Sequence, residues 1–233
     1  MFTLFITATN TDIGKSFASS LIIDRLALLK PQLKIGVCKP IETGVGQEPL
    51  DASLLLNSCK DYNDSFLSLT PQDITAYTFS LPASPFVASK KEQTQISIPK
   101  IHKKIKELQT LCDILIVEGA GGLLVPITKD YFMVDLIRDT ADKTLLITSS
   151  KLGSINDTML SIEALKRREI DFDWCVNLYE EREHFSSVTK PFYDEYFRDY
   201  WFLESGVDRF LESLIDEINL LTSIIENKKI NKI

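Results

Sequence analysis

Ten residues, T-A-T-N-T-D-I-G-K-S from Thr7 to Ser16, restrict what this chain can fold into more than any others. They follow a short run rich in β-formers, Phe2 to Thr7. After them Phe17, Leu21, Ile22, Leu26 and Leu29 recur three or four residues apart until Pro31 closes the pattern. The succession reads as strand, polar loop and helix, with Gly14-Lys15-Ser16 at the helix start. A glycine there lets the backbone approach an anion, and the helix N-terminus offers N–H groups without partners. A lysine can reach terminal phosphates and a serine hydroxyl can hold Mg²⁺. The strict spacing G-x-x-x-x-G-K-[ST] would need glycine where Thr9 stands, so the junction is a phosphate cradle by context and not by the bare pattern. A plain capped helix start is the competing reading, and it leaves the lysine and serine unexplained.

Strand-like and helix-like segments keep alternating downstream. Residues 35–38 (IGVC) read as a strand, Asp51 opens a short helix, and 60–98 read mostly as loop around a brief Y-T-F strand. Pro99 begins a helix whose basic side faces outward. The most apolar strand, 113–118 (DILIVE), breaks at Gly119-Ala120-Gly121-Gly122. A helix near 133–139, a strand at 144–150, a helix at 154–169 and a strand at 172–178 follow. Several of these strands lack polar alternation, which indicates an α/β fold with a mostly parallel sheet covered by helices on both faces. Residues 180–204 are aromatic and charged, and Val207 to Ile225 forms an amphipathic helical pattern before a lysine-rich end. We expect one domain over residues 1–233 with an atypical C-terminal segment, about 180–233.

Composition excludes several classes of function. With 26 basic against 33 acidic residues the net charge is −7, which disfavours a nucleic-acid coat. No apolar run approaches the roughly 18 residues of a membrane span. The opening segment reads as a buried strand and not as a signal peptide. Cys38, Cys59, Cys112 and Cys175 are scattered without C-x-x-C spacing, as expected for reduced thiols of a cytoplasmic protein without zinc. The two histidines, His102 and His184, stand in polar surface-like stretches, so a histidine triad has almost no raw material. Chemistry is left to Lys, Ser, Thr, Asp, Glu and the backbone.

In an open parallel sheet the carboxyl ends of the strands share one edge, where ligands collect. Glu118 ends an apolar strand, where an acid needs a partner. Asp51 alone reads as a helix cap. If Ser16, Asp51 and Glu118 converge at that edge, they supply oxygen ligands for Mg²⁺, which takes few protein ligands. Lys39, in K-P-I-E-T-G after the second strand, either points into the same cleft as Lys15 or is a surface lysine before a proline turn. Two lysines in the cleft would suit a substrate that gathers negative charge in phosphoryl transfer.

Taken in order, T-x-T-N-T-D-I-G-K-S, K-P-I-E-T-G, D-A, P-A-S-P, V-E-G-A-G-G and K-L-G-S-I-N resemble the dethiobiotin synthetase family over roughly residues 3 to 177. The resemblance implies a three-layer P-loop NTPase-like fold and a homodimeric ligase that uses Mg²⁺ and ATP. The reaction it implies joins 7,8-diaminononanoate and CO₂ (bicarbonate) into dethiobiotin, through a carbamate and a carbamic-phosphoric anhydride. It implies catalytic roles for Lys39, Lys15 and Thr11, and metal binding by Ser16, Asp51 and Glu118. Asp12, Ile13, Gly14, Lys15, Ser16 and Phe17 would hold the nucleotide with Glu118, Gly119, Ala120, Gly121 and Asn177. Thr11, Lys39, Thr43 and Gly122 would hold the substrate, and Leu152, Gly153, Ser154, Ile155 and Asn156 its tail carboxylate across the dimer interface.

Some positions depart from the family pattern. Ala8 replaces a frequent glycine, Asp12 a glutamate and Thr43 a serine. Leu178 follows the base-reading Asn177 where an aspartate is customary, and no G-x-I-P stretch stands in D-Y-W-F-L-E-S-G-V-D-R-F-L-E-S. These departures imply firm reading of phosphates and loose reading of the base, so other nucleoside triphosphates should serve besides ATP. Two other classes share the P-loop. A ParA- or MinD-like switch would carry a lysine where Asn10 stands, and a cobyrinate-type amide-forming ligase would add a glutaminase domain.

Overall fold

The computed structural model describes residues 1–197 and 199–230. The chain starts with β1 (Phe2–Ala8), buried along its whole length, and passes through a polar loop into α1 (Lys15–Leu29). It continues through β2 (Ile35–Cys38), β3 (Ile41–Thr43), α2 (Leu50–Lys60), β4 (Tyr77–Phe79), α3 (Pro85–Lys91) and α4 (Ile98–Gln109). The middle of the chain forms β5 (Ile114–Gly122), the short pair β6 (Pro126–Thr128) and β7 (Tyr131–Phe132), then α5 (Met133–Thr140) and β8 (Lys143–Ser149). Beyond it lie α6 (Ser154–Lys166), β9 (Phe172–Asn177), α7 (Arg182–His184), α8 (Lys190–Tyr196), β10 (Trp201–Phe202) and α9 (Leu203–Ile230).

One sheet, ordered β10-β9-β8-β1-β5-β2, organises the molecule, and every pairing in it is parallel. Helices flank it to give three layers: α1 packs beside α2 and α9, while α4, α5 and α6 pack against β2, β5 and β8. Residues such as Leu4, Phe5, Ile6, Leu115, Ile116, Leu145 and Ile147 are fully buried on both faces of the central strands. This is why these strands show apolar runs in place of alternation. The carboxyl ends of β1, β5 and β2 therefore meet at one edge, with β5 between the other two.

The structure departs from the expected elements at definite points. Strand β5 does not break at Gly119 but continues to Gly122, with a register shift against β1 between Ile6 and Ala8. A Cβ on Gly122 would come within 2.8 Å of the Thr9 carbonyl oxygen, so only glycine lets these strands stay this close. The stretch read as loop contains α3, which Pro85 enters at its first turn. Helix α2 begins at Leu50, one residue before Asp51, and Pro49 occupies its N-cap. The aromatic and charged stretch 180–204 carries regular elements among its described residues. They form α7, a π-helical turn Phe185–Thr189, α8 and the added sheet strand β10, and α9 starts at Leu203 ahead of Val207.

The four cysteines are buried and unpaired. His184 is exposed, whereas His102 is half-buried with Nε2 3.2 Å from the Tyr131 hydroxyl. Among the described residues no helix is long and apolar enough to cross a membrane.

Candidate active site

The loop between β1 and α1 is built to hold its own shape. Gly14 sits at φ 95° as the N-cap of α1, in the left-handed region that other residues rarely adopt. A Cβ there would also lie 2.3 Å from Asn177 Nδ2. That amide donates 2.9 Å to the Ile13 carbonyl, and the Tyr179 hydroxyl donates 2.7 Å to the Asp12 carbonyl. The loop is therefore tied to the end of β9 from behind. With no side chain capping α1, its first N–H groups stay directed at the cleft.

Lys15 folds back over this loop and donates 3.1 Å to the Asn10 carbonyl. Burial, with the neighbouring charge of Lys39 next, pulls its pKa down to about 8. Ser16 Oγ lies 3.0 Å from Glu118 Oε1 and 3.2 Å from Asp51 Oδ1. Its single hydroxyl hydrogen serves one carboxylate at a time. Glu118 is fully buried, and its other oxygen accepts from Ser19 Oγ at 2.8 Å.

Lys39 joins these groups into one cluster. Its side chain is 2% exposed, and Nζ donates to Glu118 Oε1 at 2.6 Å, Asp51 Oδ2 at 2.8 Å and the Gly119 carbonyl at 3.3 Å. Burial by itself would lower its pKa, but the carboxylates of Glu118 and Asp51 outweigh that and hold it above the ordinary lysine range. Burial likewise opposes ionisation of Asp51, and the Lys39 charge overcomes it, so this carboxyl titrates below its usual value. The buried Glu118 and the half-buried Asp51 thus meet at a single buried cation. Lys39 is no surface lysine, and Asp51 does not cap its helix: its carboxylate faces Ser16 and Lys39 across the cleft.

The expected residues do not all fall in one place. Thr11, Asp12, Gly14, Lys15, Ser16, Phe17, Lys39, Thr43, Asp51, Ala120 and Gly121 line one cleft of about 380 Å³. Glu118 and Gly119 touch Lys39, and Ile13 is buried behind the loop with its carbonyl held by Asn177. Gly122 lines a neighbouring recess of about 340 Å³ with Thr9, Asp157 and Leu160. Leu152, Gly153, Ser154, Ile155 and Asn156 lie outside both, where Gly153 caps α6 and Leu152 is 72% exposed. Within one chain they do not meet Lys39 or Thr43 in the cleft.

Two residues of the site, Ser19 behind the cleft and Glu42 in its lining, escaped sequence reasoning. Ser19 is one turn beyond Ser16 on the same helix face, a spacing that could have flagged it. Glu42 stands in the K-P-I-E-T-G segment that drew notice for its lysine, and it too lines the cleft. Its carboxylate accepts from the backbone N–H groups of Asp51 at 3.0 Å and Ala52 at 2.9 Å. Burial raises its pKa, against the lowering effect of those two hydrogen bonds.

The donor set suits a hard divalent cation. Two carboxylates and a hydroxyl, all oxygen, converge from α1, α2 and β5 at the mouth of a phosphate cradle, and together they already hold one cationic group, the Lys39 ammonium.

The chain is similar to known proteins in sequence and in fold. Residues 2–173 match a family described as an AAA domain. The ATP-dependent dethiobiotin synthetase BioD of Sulfurovum sp. (strain NBC37-1) is 51% identical over 92% of this chain and 100% of its own length. The protein of the same name from Wolinella succinogenes is 36% identical over 92% of this chain and 99% of its own. Among solved structures, a plasmid partition protein from Borrelia burgdorferi superposes with a TM-score of 0.55 at 8% identity, covering 91% of this chain and 98% of that one. The MinC:MinD cell division complex of Aquifex aeolicus gives a TM-score of 0.52 at 17% identity, covering 90% and 86%. These two share the fold alone.

Proposed function

The chain belongs to the family of ATP-dependent dethiobiotin synthetases, and from that premise we propose how its cleft divides the work of the reaction. The activity is that of a ligase of biotin biosynthesis that forms C–N bonds and consumes Mg-ATP. In this chemistry one substrate amine takes up CO₂ as a carbamate, losing a proton. A carbamate oxygen then attacks the γ-phosphorus, and ADP leaves. The second amine attacks the carbonyl carbon of the mixed anhydride, expelling phosphate and closing the ureido ring.

The observation that carries the assignment is the buried Lys39 ammonium between two carboxylates, beside Gly14-Lys15-Ser16. Every step builds negative charge on oxygen, and fixed cations and N–H groups stabilise such charge most effectively when water is excluded. On our reading the N–H groups at the start of α1 and the Lys15 ammonium receive the β- and γ-phosphates. Lys39 takes the carbamate, and Thr11 and Thr43 border the same space. Ser16, Asp51 and Glu118 would hold Mg²⁺, which supplies charge neutralisation on the transferring phosphates. Ala120 and Gly121 bring backbone close to the same ligand from β5.

The substrate is 7,8-diaminononanoate on this reading, with its tail carboxylate on the backbone N–H groups that open α6, at Leu152 to Asn156. Because those residues stand outside the cleft of their own chain, a second copy would bring them to it. The exposed leucines Leu124, Leu152 and Leu160 support a homodimer. The whole chain works as one domain here, since β10 and α9 extend the same sheet and its covering layer.

The direct test is to incubate the pure protein with diaminononanoate, labelled bicarbonate and Mg-ATP. Label in a ring product with equimolar phosphate release is expected. Phosphate release without fixed label would overturn the substrate assignment. Sedimentation that shows only monomer at assay concentration would overturn the shared site.

A further inference from the structure

Helix α2 starts without any cap of its own. Its N-cap is Pro49, which has no side-chain acceptor, so the first N–H groups of the helix need partners from elsewhere. Glu42 supplies them from β3, nine positions before Asp51. One carboxylate oxygen accepts from Asp51 N at 3.0 Å and the other from Ala52 N at 2.9 Å. Glu42 is 6% exposed, and its strand is held in register against β4, with Glu42 opposite Thr78. An anion at this end also complements the helix dipole.

These bonds act on the residue that matters most in the helix. Asp51 turns one oxygen to Ser16 Oγ and the other to Lys39 Nζ, so its side-chain direction is functional, while its backbone N–H is held by Glu42. Each oxygen of Glu42 is engaged by a backbone donor, which fixes the carboxylate in place. We infer that Glu42 is a positioning residue: its two-point grip on the start of α2 aims the Asp51 carboxylate at the metal ion. The inference rests on the assignment of Asp51 as a metal ligand. It also explains how the strand carrying Thr43 and the helix carrying Asp51 keep a fixed relation across the intervening loop.

The test compares Glu42→Gln with Asp51→Asn. The amide of Glu42→Gln keeps the volume but can accept only one of the two N–H groups, and its NH₂ opposes the other. Mn²⁺ affinity of the ADP complex, read by electron spin resonance, should weaken about tenfold or more, as when the partner of a metal ligand is lost. The half-saturating Mg²⁺ for turnover should rise by the same factor. ADP affinity in EDTA should change by less than about twofold. A lower melting temperature with unchanged Mn²⁺ affinity would make Glu42 a helix cap and no more, and would overturn the inference. Should Glu42→Gln fail to fold, Glu42→Asp keeps the charge but reaches one N–H group less, and the same loss of Mn²⁺ affinity is expected. If Asp51→Asn weakens Mn²⁺ and neither Glu42 variant does, the positioning role fails and the metal assignment stands. If Asp51→Asn also leaves Mn²⁺ unchanged, the metal assignment fails and the inference falls with it.

Discussion

Lys39 shows what a single buried charge can do in this cleft. Its buried ammonium answers two carboxylates that would otherwise repel each other, and their charge holds its pKa above the ordinary lysine range. Replacing it with alanine should depress turnover by about a hundredfold or more, the scale of losing one transition-state donor. Steady-state rates at saturating Mg-ATP check this, and near-normal turnover would remove Lys39 from the chemistry. A second residue-scale expectation concerns Asn177. One hydrogen of its Nδ2 is committed to the Ile13 carbonyl, which leaves the other and the carbonyl oxygen for a base. The aspartate customary in the family is a leucine at 178. Similar KM values for ATP, GTP and CTP should follow, and a strong preference for ATP would contradict it. Lys15, Ser16, Lys39, Asp51 and Glu118 could be found in sequence because each stands at a strand or helix end, where topology forces convergence. Glu42 could not, because its role is a contact with backbone nine residues on, which no motif records.

At the scale of elements, the segment after β9 is where sequence reading was weakest, and packing explains why. Trp174 on β9 is surrounded by rings from α8 and the residues after it: Tyr193 at 5.6 Å, Phe197 at 4.7 Å and Tyr200 at 5.7 Å between centroids. The buried Tyr193 hydroxyl reaches Thr158 on α6 at 2.9 Å, and Thr158 in turn meets Thr148 on β8. These helices are too short to show a clear period, and they are held by tertiary aromatic contacts and not by propensity. Strand β10 is similarly invisible alone, being two residues that pair with Cys175 and Val176. Removing the ring at the centre should expose the dependence. Trp174→Ala should destabilise the protein by about 3–5 kcal/mol, measured by urea unfolding. An unchanged midpoint would mean that the C-terminal segment does not rest on this cluster. By contrast β1, β5 and β8 were plain from sequence, since strands buried on both faces are apolar throughout.

The whole molecule separates its two sheet edges. At the carboxyl edge two lysines, a helix start and oxygen ligands serve the reaction, in a chain whose net charge is −7, so the cations that meet anionic substrates are local. At the opposite edge another lysine serves the fold. Lys143, at the first position of β8, reaches Asp171 and Asp173 at 3.1 Å and Glu217 of α9 at 3.5 Å, binding two strands and the last helix together. Burial alone would lower its pKa, but the hydrogen bond to Asp171 and the Asp173 charge outweigh that and raise it above the ordinary lysine value. A lysine raised on folding contributes its stability at all pH values below the unfolded pKa and loses it as pH climbs through the folded one. Its acidic partners are largely exposed, so the contribution is about 1 kcal/mol. Lys143→Met should therefore unfold at lower urea than the wild type at pH 8, and the gap should close as the pH rises beyond 10.5. Because the substitution lies at the far edge, KM for ATP and the Mg²⁺ dependence should stay at wild-type values. A variant that loses metal or nucleotide affinity without losing stability would show that the two edges are coupled through the sheet.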